Sequence, residues 1–139
     1  DRLFTTSRLW ADLRMIDGSI DPSQRETPSC YLGDPRKANY GVYGVGTVST
    51  CRTWLSMWSL KDSQCSAESH LQRIKVPALV IDADRDTGVY PSDTAAIIKD
   101  LASEDLATVT FHTDHYLLDG EKTRDSVADL LTDWIKSRS

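Results

Sequence analysis

Apolar positions fall into two regimes along this chain. Val48, Cys51, Leu55 and Trp58 recur at helical spacing, and Val127, Leu130, Leu131, Trp134 and Ile135 do so still more regularly near the end, which predicts a helix over roughly 47–60 and a closing helix. Two other stretches read as strands. Ala78-Leu79-Val80-Ile81 is an unbroken apolar run of the kind buried on both faces of a parallel sheet, and Leu106 to Phe111 alternates and is rich in β-branched residues. Between them Ser92 or Asp93 is placed to cap a helix carrying Ile97, Ile98 and Leu101 and ending near Ser103. The second half is therefore predicted as strand, helix, strand, helix.

The first half is less periodic. Leu9, Trp10, Leu13 and Ile16 predict an early helix, capped by Thr5, Thr6 or Ser7 and stopped by Gly18. From Gly18 to Gly46, three prolines and several glycines interrupt every period, so the stretch reads as a long connection, the kind of loop that is a lid, a binding segment or disordered. The expected organisation is a mostly helical connector region over residues 1–70, which the family resemblance described below implies is a lid, followed by an α/β unit over residues 71–139.

Composition narrows the function classes. A net charge of -5 and a pI near 5.1 over 139 residues leave no basic footprint for nucleic acid or an anionic membrane surface. Neither is expected as a partner. No apolar run approaches the roughly 18 residues of a membrane span and no signal-like start is present, so the expected location is cytoplasmic. Cys30, Cys51 and Cys65 have neither disulfide-framework nor metal-ligand spacing and are expected as reduced structural thiols, with a Cys30 to Cys65 bridge as the alternative. No cofactor or metal is expected.

The candidate chemistry lies where the two strands end. The first runs out into Asp82, Asp84 and Asp86 before the Gly88 to Pro91 turn, and the second into His112-Thr113-Asp114-His115-Tyr116. Open α/β sheets place their chemistry at this carboxyl edge. A carboxylate beside a histidine fixes its tautomer and stabilises the imidazolium formed when it takes a proton from a nucleophile. Asp86 and His115 are the expected pair, with Asp84 and His112 as the competing acid and base. Trp54, Trp58 and Tyr116 are the candidate substrate-binding residues, although Trp54, Met57 and Trp58 also fit as core packing.

Ile74 to Pro91 resembles the segment of the α/β-hydrolase family that carries the triad acid, with Ala83 where that family usually has Gly, the acid at Asp86, and Val89 and Pro91 completing the turn. His115-Tyr116 is similar to the family's histidine-aromatic pair, and the helix with Trp134 and Ile135 to its closing helix. The resemblance covers roughly 71–136. It implies a serine-type hydrolase acting on a small ester-like substrate (ester, thioester or amide) through an acyl-enzyme. The family's Gly-x-Ser-x-Gly elbow is not found: Gly44-Val45-Gly46-Thr47 has glycines without the serine or a preceding strand. The expectation is thus the lid and C-terminal part of a larger hydrolase, inactive alone. Its exposed sheet edge would take up the missing N-terminal half or a second copy.

Three other readings compete. Asp82-x-Asp84-x-Asp86 with Asp93 echoes a calcium loop, but Thr87 stands where such a loop needs Gly. The same aspartates fit a magnesium-dependent phosphatase resembling the haloacid dehalogenase class, for which Lys99 and Lys122 are the available lysines. The third is a non-catalytic binding module that keeps hydrolase architecture.

Overall fold

The computed structural model describes residues 1–5, 11–41, 48–63 and 65–139. In the second half the elements follow the sequence pattern closely. Strand β3 (Ala78–Ala83) and strand β4 (Leu106–Phe111) pair in parallel, with Ala78 opposite Leu106 and Ala83 opposite Phe111. Helix α4 (Pro91–Asp100) joins them and helix α5 (Thr123–Lys136) closes the chain. This is an α/β arrangement. Helix α4 begins one residue before the expected caps: Tyr90 is the cap and Pro91 the first helical residue, where a missing N–H costs nothing. Asp93 acts instead from the third helical position, its carboxylate accepting the Tyr90 N–H at 3.0 Å.

Residues 1–70 are not mostly helical where they are described. Strand β1 (Leu3–Thr5) pairs antiparallel with strand β2 (Val48–Thr50), and Leu13–Met15 form one 3-10 turn. Helix α1 (Pro35–Ala38) and helix α3 (Glu68–Leu71) have 4 residues each, and helix α2 (Cys51–Trp58) has 8. At the described end of the expected early helix Leu13 lies in that 3-10 turn, and Leu13 and Ile16 are exposed at 62% and 44%; of its candidate caps Thr5 lies in a strand, and Thr6, Ser7, Leu9 and Trp10 lie outside the described residues. Gly44 to Thr47 lie outside them too. Helix α2 is shorter than its stripe because Val48 is taken into β2, and Thr50 caps it by accepting the Thr53 N–H.

The buried apolar cluster is built mainly by the first half of the chain. Met15, Cys30, Ala38 and Tyr90 form one cluster, which packs the long connection against the start of α4. Tyr90 is 1% exposed, and two guanidinium groups lie over its ring, Arg14 at 4.3 Å and Arg25 at 4.4 Å from its centroid. Arg14 in turn pairs with Asp12 at 2.6 Å and Asp93 at 3.0 Å. This carries the connection across 79 residues of sequence onto the helix.

By contrast β3 is only half-buried along its length, and the sheet holding it has two strands among the described residues. A parallel strand of this composition is normally covered on both faces. The apolar stripe of α5 likewise leaves Leu131 and Ile135 exposed, with Val127 its one buried residue. Cys30, Cys51 and Cys65 are free thiols. Among the described residues no helix is long and apolar enough to cross a membrane.

Candidate active site at the strand ends

The register of the parallel pair builds the site. Residues 78 to 83 face residues 106 to 111 at a constant offset, and pairing continues past the strand ends: the Asp84 N–H donates to the Phe111 carbonyl and the Arg85 N–H to the Thr113 carbonyl, each at 3.1 Å. Continuing that offset sets Asp84 beside His112, and their side chains meet at 2.9 Å, 28 residues apart. Beyond this the chains turn. Asp86 folds back with its N–H on the Ala83 carbonyl, and Asp114 nucleates a turn by accepting the Tyr116 and Leu118 N–H groups. Leu117, at φ 59, takes the left-handed backbone that a leucine rarely adopts. These turns add one residue to the offset and bring Asp86 against His115, 29 residues away.

The contact is bifurcated, with His115 Nδ1 at 2.9 Å from both carboxylate oxygens of Asp86. A carboxylate only accepts, so Nδ1 carries the proton and Nε2 of the neutral ring holds the free lone pair. Asp86 is itself fixed, its Oδ1 accepting the Gly88 N–H at 2.7 Å and the Val89 N–H at 2.9 Å. The carboxylate is 11% exposed and the imidazole 32%, whereas His112, at 64%, stands in solvent. Enclosure therefore separates two pairs of equal length. His70, the third histidine, lies in α3 and contacts Arg73.

Three of the expected site residues come together and two do not. Asp86, His115 and Tyr116 are neighbours, Tyr116 meeting the imidazole edge-on at 5.2 Å between ring centroids. Trp54 and Trp58 are on α2, where Trp54 packs against Phe4 of β1, and among the described residues neither borders the two cavities beside His115 described below. Met57 and Trp58 do not fit as core packing either, being about half exposed at 49% and 56%, while Trp54 is half-buried. Arg85 pairs with Asp119, at 3.2 Å.

His115 lies between two cavities. One, of about 320 Å³, is bounded by Tyr31, Arg85, Asp114, Tyr116 and Asp119. The other, of about 300 Å³, runs along the sheet beside Ile81, Ala83, Val89 and Val127. Tyr31 was not legible as a site residue, because it belongs to the aperiodic connection. Its ring stacks on His115 with centroids 4.7 Å apart and planes 22° from parallel. Burial, followed by the charge of Asp86, pushes its phenol above the ordinary value.

The three aspartates diverge. Asp82 accepts the Thr94 hydroxyl at 2.8 Å, Asp84 meets His112 and Asp86 meets His115. Among the described residues no three His, Cys, Asp or Glu side chains converge on one metal position. No family model, curated protein or solved structure matches this chain.

Proposed function

We propose that this chain supplies the acid and the histidine of a serine-type α/β-hydrolase, with His115 as general base and Asp86 as its orienting partner. The observation that supports this best is the bifurcated contact of His115 Nδ1 with Asp86, which leaves Nε2 as the basic nitrogen. In this reading Nε2 takes the proton of a serine hydroxyl as that oxygen attacks the substrate carbonyl. It then returns the proton to the leaving group, and the cycle repeats with water. The serine and the oxyanion donors come from a segment outside these residues, and its natural seat is the under-covered face and edge of β3 beside the second cavity. The cavity bounded by Tyr31 and Tyr116, at about 320 Å³, is of a size for a small ester, thioester or amide.

The test is turnover of p-nitrophenyl esters and covalent labelling by a fluorophosphonate in the full-length protein. Asp86→Asn is expected to lower turnover by about four orders of magnitude, and His115→Ala comparably, with unchanged circular dichroism. Retained turnover in both variants would remove the assignment. A full-length protein that is neither labelled nor active would instead mark a binding module.

A further inference from the structure

Tyr31 sits at the tip of a tight turn built to hold it. Cys30 and Gly33 exchange both backbone hydrogen bonds, Cys30 N–H to Gly33 carbonyl at 2.8 Å and the reverse at 2.7 Å. Gly33 supplies the positive φ of 89° that closes the turn, a conformation costly to any residue with a Cβ. The turn is anchored on both sides, by Cys30 in the buried cluster and by the fully buried Pro35 that follows Asp34, the cap of α1. A residue in a long connection is thereby fixed in space.

The ring also has a seat. A Cβ built on Gly88 would lie 1.9 Å from Cε1 and 2.3 Å from Cδ1 of Tyr31, so the phenol ring occupies the volume where any larger residue at position 88 would put its side chain. The φ of Gly88 is outside the left-handed range, so the backbone there does not itself require glycine. What requires it is Tyr31. The same Gly88 gives its N–H to Asp86. One residue therefore braces the carboxylate with its backbone and admits the tyrosine through its missing side chain.

We propose that Tyr31 is a positioning residue for His115, seated on Gly88, and that its ring fixes the plane of the imidazole that Asp86 alone leaves free to rock. The Asp86 contact fixes the direction of one N–H and leaves the ring free to turn about it, because a hydrogen bond depends on the donor's direction and not on rotation about that direction. A ring stacked on the face and Tyr116 against the edge remove that freedom. Nε2 is then presented in one direction. This rests on the proposed role of His115, but the geometric claim has its own readout.

The experiment is carbethoxylation of the chain by diethylpyrocarbonate, with the rate at His115 resolved from those at His112 and His70 by fragment mass spectrometry. Tyr31→Ala is expected to raise the His115 rate about threefold to tenfold, the factor an aromatic ring pair is worth, with His112 and His70 unchanged. Tyr31→Phe keeps the stack and the slow rate. Gly88→Ala displaces the ring and reproduces Tyr31→Ala, while the double variant goes no further, because the two substitutions act through one contact. A His115 rate unmoved by Tyr31→Ala, or a Gly88→Ala effect that persists undiminished in the Tyr31→Ala background, would overturn the proposal. Labelling needs no turnover, so an inactive full-length protein would remove the hydrolase reading and leave this result intact.

Discussion

His115 Nδ1 lies 2.9 Å from both oxygens of Asp86, and three positions earlier His112 Nδ1 lies 2.9 Å from Asp84. The two pairs have equal lengths and different surroundings: one is braced by two backbone N–H groups and two aromatic rings, the other stands 64% exposed at its histidine. A hydrogen bond at an exposed histidine competes with water, so the outer pair has little hold on its imidazole.

Asp86→Asn is expected to release the tautomer of His115, because an amide can present an N–H as readily as an oxygen to Nδ1. Imidazole nitrogen chemical shifts measured in the neutral-ring form should then show Nε2–H population appearing at His115 alone. Asp84→Asn should leave His115 untouched. A His115 spectrum that responds to Asp84→Asn would mean that the two pairs are one coupled unit.

The latch between the connection and α4 should be acid-labile. The hydrogen bond from Arg14 holds the Asp12 carboxyl below its ordinary value of 3.8, and that from the Ser92 hydroxyl does the same for Asp21. A folded-state value below the unfolded one means stability that is fully present above the ordinary value and lost as pH falls through the depressed one. Hydrogen exchange over residues 12–31 is expected to be flat from about pH 7 to pH 5, after correction for intrinsic rates, and to lose protection below about pH 4. Asp12→Asn should reduce that protection already at neutral pH and flatten its acid dependence.

Tyr90 offers a sign test. Its hydroxyl is buried with no hydrogen-bond partner among the described residues, while its ring makes the contacts with Arg14 and Arg25. Tyr90→Phe removes an unsatisfied group and keeps the ring, so it should be neutral or stabilising by up to about 1–3 kcal/mol. Tyr90→Ala should cost about 3–5 kcal/mol. Urea midpoints of the two variants separate these effects, and a strongly destabilised phenylalanine variant would show that the hydroxyl is satisfied in solution.

The second half was readable because its periods are long and unmixed. β4 has the expected bounds, and β3 runs two residues past the apolar run because the parallel ladder continues through Asp82 and Ala83. In the first half helix α2 was readable, but the segment ahead of the connection was not, for the opposite reason. Leu13 and Ile16 have helical spacing but remain exposed, so the described part of that stripe gains no burial to sustain a helix. Trp54 and Trp58 met the same limit: helical spacing put them on one element but said nothing of what that element packs against.

The sequence by itself determined the two parallel strands, the helices that follow them and the spacing of acid and histidine, because hydrophobic period and turn residues are local properties. Only the tertiary structure decided which aspartate meets which histidine. That depended on a one-residue slip between the ladder offset and the offset at the turns, set by backbone bonds at Asp86 and Asp114. It also brought Tyr31 onto His115 across 84 positions of chain. A ring from an aperiodic connection reaches the site through a buried anchor and a glycine-shaped space, and neither leaves a period in the sequence.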